Sequence, residues 1–163
     1  MWDTLISAFK MEKKFMKRAI ELAKTAGEKG EVPVGAVIEK DGIILGEGYN
    51  MRETKKNALS HAEIEAINNA CTALGDWRLS GATMYVTLEP CPMCTGAIIN
   101  SRISTLVFGA YDLKSGCVDS VINLCDYPFD TKPEVYGGIC EDECNAVLSE
   151  FFKAVRVSDE KNN

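Results

Sequence analysis

Along residues 9–29, apolar positions fall at Phe15, Ala19, Leu22, Ala23 and Ala26, with charges between them. This i, i+4, i+7 stripe predicts an amphipathic helix, and Gly27 and Gly30 mark its end. Residues 1–8 read as an N-terminal arm or an extension of that helix. The period then changes. "VPVGAVIEK" and "IILGEGYN" are β-rich runs on either side of Asp41–Gly42, the strongest hairpin signal in the chain. The polar, basic residues 51–59 predict an exposed loop. Ser60, followed three residues later by Glu63, has the form of a capping box for a helix over 61–74 that stops at Gly75.

"ATMYVTL" predicts a strand entering Glu89–Pro90, residues 91–100 a helix of small side chains, and "STLVFGA" the next strand. A loop, "YDLKSG", leads to a short helix around Val118–Cys125. After the loop "PFDTKP" come a last strand, "EVYGGI", and an amphipathic helix over 141–156. Residues 158–163 read as a disordered tail. There is no internal repeat or linker, so the chain is expected to form one α/β domain over 1–163, a five-stranded mixed sheet with helices on both faces.

Composition narrows the function classes. At 163 residues, 46% hydrophobic and 26% charged, the chain is ordinary globular material large enough to bury a core. A net charge of −6 argues against an indiscriminate nucleic-acid coat, though not against a local basic patch. Such a patch has candidates in Arg52, Lys55, Lys56, Arg78, Arg102, Lys114, Lys132, Lys153 and Arg156. The N-terminal stretch has neither a signal-peptide core nor a membrane span. Seven cysteines, an odd number without a repeated framework, read as reduced thiols in a cytoplasmic protein.

The chemistry gathers at "HAE" (61–63) and "PCPMC" (90–94). Cys91 and Cys94, three apart at a helix start, can turn both sulfurs to one point, and a helix N-terminus favours thiolate. His61 makes a third ligand. Three protein ligands rather than four is the pattern of a catalytic zinc, which lowers the pKa of a bound water. Glu63, two residues from His61, is then placed to move protons.

Plainer readings compete with this one. A lone C-x-x-C is more often structural or redox, but a thioredoxin-like use leaves His61 and Glu63 idle. A fourth ligand from Cys71 is excluded, since ten helical residues separate it from His61 by about 15 Å. Cys140 and Cys144 are spaced i, i+4 without a second histidine and read as packing thiols; Cys117 and Cys125 read as semi-buried. Asn50 ends a strand, where a turn role competes with a binding role. Periodicity alone places Phe152 in the core.

H-x-E followed by P-C-x-x-C is the signature of the zinc-dependent nucleobase and nucleoside deaminases. With "VPVGAVI", "GEGYN", "HAEI", "MYVTLEPCPMCTGA", "SRI", "VFGA" and "DEC…LSEFF", the chain resembles the bacterial tRNA-specific adenosine deaminases over nearly all of residues 9–157. That resemblance implies a three-layer α/β/α cytidine-deaminase-like fold, a homodimer, one Zn2+ per subunit, and conversion of the wobble adenosine of a tRNA anticodon stem-loop to inosine. It implies Glu63 as the proton shuttle, Asn50 as a hydrogen-bond partner of the flipped base, Asp112 and Lys114 along the flanking nucleotides, and Phe152 and Arg156 over the anticodon loop. The loop "CDYPFDTKPEV" departs from several relatives in lacking histidine, and the tail "RVSDEKNN" departs in its mixed charge. Rival readings are a deaminase of a free base or nucleoside (guanine, cytosine or cytidine) and a non-catalytic RNA-binding subunit. An intact Glu63 speaks against the second.

Overall fold

A computed structural model describes the backbone of residues 2–161 and the side chains of residues 13–161. The hydrophobic pattern sorts the chain into α1 (Trp2–Glu28), β1 (Gly35–Lys40), β2 (Ile43–Tyr49), a single turn α2 (Arg52–Lys55), and α3 (Ala62–Leu74). There follow β3 (Thr83–Leu88), α4 (Pro92–Asn100), β4 (Thr105–Ala110), a 3-10 turn at Leu124–Asp126, β5 (Glu134–Tyr136) and α5 (Glu141–Lys161).

The five strands form one sheet in the order β2-β1-β3-β4-β5. β1 pairs antiparallel with both β2 and β3, whereas β3, β4 and β5 run parallel. The β1–β2 turn is two residues long. Asp41 and Gly42 have φ of 53° and 80°, the pair of left-handed residues that a type I′ hairpin requires.

Period-2 alternation divides the strands between two cores. Ala36, Ile38, Met84, Val86, Leu106 and Phe108 face α3 and α4, where Ala62, Ala66, Ala70 and Ile98 receive them. Val37, Tyr85 and Val107 face the other way, onto Phe15, Met16, Ala19 and Ile20 of α1 and Cys144 of α5. The result is the expected α/β/α sandwich.

One contact sets the position of α3. A Cβ on Gly46 or Gly48 would fall within 3.0 Å of α3 backbone atoms at Ala62, Ala66 and Ala70. Only glycine lets the helix lie directly on β2, and this seating carries His61 and Glu63 to the sheet edge.

Several local expectations change. α1 begins at Trp2, so the first residues extend the helix rather than form a separate arm. α5 continues through Lys161 where a tail was expected, while residues 162–163 lie outside the described residues. The segment 51–59 contains the α2 turn. Ser60 does not cap α3: its carbonyl accepts from Met51 N–H and its own N–H donates to Asn57 O, so His61 becomes the N-cap. The helix expected at Val118–Cys125 is absent. An isolated bridge, Val118–Asn123, and the 3-10 turn stand there, with the Asn123 side chain accepting from Cys125 N–H.

Candidate metal centre and pocket

The N-termini of α3 and α4 meet beyond the carboxyl ends of β3 and β4, where parallel strands leave a crevice for ligands. His61 and Cys91 are the two N-cap residues, both extended, with φ/ψ of −75°/156° and −73°/174°. Neither side chain caps its own helix. They turn toward each other instead. His61 Nδ1 lies 3.7 Å from Cys91 Sγ and 3.6 Å from Cys94 Sγ, and the three donor atoms lie within 4.8 Å of one another. Among the described residues this is the one His/Cys/Asp/Glu cluster able to hold a metal ion.

The spacing can be tested against coordination chemistry. Tetrahedral zinc with Zn–S about 2.3 Å and Zn–N about 2.0–2.1 Å requires S···N of about 3.6 Å. The donors fit. Two soft thiolates and an imidazole also suit zinc better than magnesium or calcium.

Electrostatics fit the same ion. Hydrogen bonding to the Cys94 thiol holds Cys91 near pKa 4 against the opposing effect of burial, and His61 assists. Cys94, the donor in that bond, is pushed far up, with burial and the nearby Glu63 adding to the effect. His61 is raised chiefly by its contact with Cys91. Glu63, in the first turn of α3 and 4% exposed, is pushed up by burial, with its own backbone N–H opposing. Burial thus favours its protonated form, and a carboxyl so placed can both take and return a proton.

His61 and Cys91 of the cluster open onto a pocket of about 170 Å³, lined by Val32, Val34, Asn50, Arg52, His61, Ala62, Glu63, Leu88, Glu89, Cys91, Asp112 and Ser115. That is below the several hundred Å³ of sites for drug-sized ligands and suits a single heterocycle. Asn50 is 8% exposed; its Nδ2 donates to Val32 O at 3.2 Å and its Oδ1 accepts from Arg52 N–H at 3.2 Å. It therefore closes a turn and still leaves one N–H and one lone pair uncommitted.

The remaining expected residues divide. Asp112 lines the pocket, and its Oδ1 accepts from Lys114 N–H at 3.0 Å and Ser115 N–H at 3.1 Å, forming a side-chain-closed turn. Lys114, Phe152 and Arg156 lie outside the lining, on exposed surface. Phe152 is 43% exposed rather than in the core. Cys144, Leu148 and Phe151 form the inward stripe of α5, and Phe151 approaches α1 at Gly27. The basic patch is partly neutralised, because Lys55 pairs with Glu65, Lys56 with Glu53 and Arg78 with Asp76. Cys117, Cys125 and Cys144 are buried packing thiols, and Cys140 is half-buried.

Two site residues escaped the sequence reading. Glu31, 1% exposed, accepts from Glu53 N–H, Thr54 N–H and the Thr54 hydroxyl, fixing the wall that carries Arg52. Glu89, 2% exposed, organises the opposite wall. Burial pushes its pKa up, and bonds from the Ser120 hydroxyl and the Ser120, Asp112 and Val118 N–H groups outweigh that and hold it low. Its signal was a lone carboxylate closing the apolar run "MYVTLEP".

Sequence and fold comparisons agree with this geometry. Residues 10–156 match the MafB19-like deaminase family. The tRNA-specific adenosine deaminase of Bacillus subtilis (strain 168) is 51% identical over 143 residues, spanning 87% of this chain and 89% of that protein. A solved structure from a study of A-to-I editing by tRNA:A34 deaminases is 43% identical with a TM-score of 0.81, covering 83% of this chain and 99% of the other. A guanine deaminase from Bacillus subtilis is more distant, at 32% identity and a TM-score of 0.58 over 72% of this chain and 85% of its own. A His/Cys/Cys donor cluster at two helix N-termini, a buried carboxyl beside it and relatives matched along almost their whole length lead to one placement: this chain belongs to the MafB19-like deaminases, and among them to the tRNA-specific adenosine deaminase family.

Proposed function

We propose that this chain converts the wobble adenosine of a tRNA anticodon loop to inosine by hydrolytic deamination, with zinc held by His61, Cys91 and Cys94. The observation that carries the reading is the Glu63 carboxyl, 4% exposed beside the donor triad at the base of a one-heterocycle pocket. When bound there, zinc supplies Lewis-acid activation of water.

The protein's own groups do the rest. Val32, Val34 and Leu88 give the base an apolar berth, and the free N–H and lone pair of Asn50 read its polar edge. Glu63 accepts a proton from the attacking water as the oxygen bonds to C6 of adenine. It delivers that proton to N1 and passes the second to the exocyclic amine. The C6–N bond then breaks, and ammonia leaves a hypoxanthine ring. A pocket of this size admits only a base turned out of its stack, which favours an unpaired loop nucleotide over a duplex one. Asp112 and Lys114 would follow the neighbouring nucleotides, and the exposed Phe152 and Arg156 of α5 would meet the loop farther out.

A cytoplasmic homodimer is the working form that goes with this reading. Exposed Val121, Ile122, Tyr127 and Phe129 offer a second copy an apolar surface. No helix among the described residues is long and apolar enough to cross a membrane.

A second reading, deamination of a free base, draws on the likeness to a guanine deaminase and on the net charge of −6. Incubating the protein with an anticodon stem-loop bearing a wobble adenosine, and separately with guanine, cytosine, cytidine and adenosine, separates the two. Inosine formed in the stem-loop alone supports the first; ammonia from a free base with an untouched stem-loop supports the second.

A further inference from the structure

Glu89 takes no part in the chemistry above, yet it is among the most buried side chains of the protein. It stands just past the end of β3 and does not belong to the metal-ligand cluster. Both oxygens are fully committed to one segment. Oε1 accepts the N–H groups of Val118, Asp119 and Ser120 at 3.3, 2.9 and 2.9 Å. Oε2 accepts Asp112 N–H at 3.0 Å and the Ser120 hydroxyl. Three successive N–H groups converging on one oxygen make a nest, the arrangement that loops use to bind anions. Here the anion is the protein's own. The wrapping is close enough that a Cβ on Gly116 would fall within 3.0 Å of the carboxyl group.

The bonds have a direct consequence for the pocket. The tether at Asp112 N–H fixes the first residue of the turn whose side chain and Ser115 form one pocket wall. The same turn holds Leu113, 82% exposed, outward at its tip, followed by exposed Lys114. Packing anchors this segment only from Gly116 to Val118, since residues 113–115 are exposed.

We propose that Glu89 is a positioning residue: an internal anion around which residues 112–120 are wound, so that Asp112 and Ser115 wall the pocket and Leu113 and Lys114 are presented to the substrate. As it concerns substrate, this rests on the deaminase reading above.

Glutamine tests it sharply. An amide offers one oxygen, which the three N–H groups of 118–120 claim at the Oε1 position. Its NH2 then faces Asp112 N–H, donor against donor, and that tether is lost, whereas the Ser120 hydroxyl can turn to accept from the NH2. E89Q is expected to speed hydrogen exchange at Asp112 while leaving α4 unchanged and zinc at one per chain. With the stem-loop, KM should rise about tenfold, the size of one lost hydrogen bond to a charged group, with kcat within about threefold. Because Glu89 acts through the Asp112 wall, the E89Q/D112A double variant should be no worse than D112A alone. Multiplicative losses in the double variant, a fall in kcat at constant KM, loss of zinc, or wild-type exchange at Asp112 would each overturn the proposal. Should E89Q fail to fold, S120A weakens the same Oε2 site and must raise KM in the same direction; an unchanged KM would overturn the proposal. The exchange readout needs no substrate. Faster exchange at Asp112 in E89Q, with a stem-loop that even the wild type leaves unedited, would sink the function and not the positioning role.

Discussion

His61 Nδ1 and Cys91 Sγ face each other at 3.7 Å although 30 residues separate them in sequence. Each occupies the N-cap of its helix and gives up capping to meet the other. Two helix ends are thus left short of a side-chain acceptor, and the proposed zinc would hold both residues in place.

Metal binding should therefore stabilise the fold. Free zinc at 1,000 times its Kd contributes about 4 kcal/mol, which at about 2–4 °C per kcal/mol is about 8–16 °C in Tm. Calorimetry before and after chelation should show a fall of that order, with one zinc per chain by metal analysis. Cys91→Ser should abolish the difference. An unchanged Tm on complete metal removal would mean that the three donors are not a metal centre.

Glu31 gives a pH dependence of known sign. Burial would raise its pKa, and the bonds from Thr54 N–H, the Thr54 hydroxyl and Glu53 N–H together outweigh this and leave it lowered. Because the folded value lies below the unfolded one, the stabilisation is present above about pH 4.5. It is lost as the pH falls through the folded pKa. E31Q should be less stable than wild type at pH 7 by about 1–3 kcal/mol, the cost of an unmatched buried donor. In urea titrations that gap should narrow below about pH 4.5. A gap constant from pH 7 to 3 would remove the ionised carboxylate from the explanation.

What the sequence made legible was local. The Asp-Gly hairpin, the period-2 strands and the helix starts at 61 and 91 follow from neighbours within a few residues, and the metal centre follows from two short motifs. What escaped depends on distant partners. Val118–Ser120 looks able to form a helix, but its N–H groups are taken by Glu89, some thirty residues away. Ser60 resembles a cap, yet its backbone is held by Met51 and Asn57. Nothing in the local sequence reveals either competitor.

The Phe151–Phe152 pair shows the same limit at single-residue resolution, and it can be tested. Phe151 continues the inward stripe of α5, whereas Phe152 is exposed, its ring meeting Phe151 edge to face at 5.4 Å. Phe152→Ala should change stability by less than about 0.5 kcal/mol, as for other surface positions, and should raise KM for the stem-loop. Phe151→Ala should cost at least about 1 kcal/mol from lost packing. Equal losses in denaturant midpoint would show that both rings carry the fold and would leave Phe152 no separate role with RNA.

If Glu63 moves the protons of deamination, replacing its carboxyl with an amide must stop the reaction. Wild type and Glu63→Gln, brought to the same zinc content, are incubated with the wobble-adenosine stem-loop under single-turnover conditions, and inosine is quantified by mass spectrometry. Loss of a positioned acid–base group predicts a rate lower by about 10²–10⁴-fold, with zinc content and Tm retained. A Glu63→Gln protein that forms inosine at the wild-type rate would contradict the assignment.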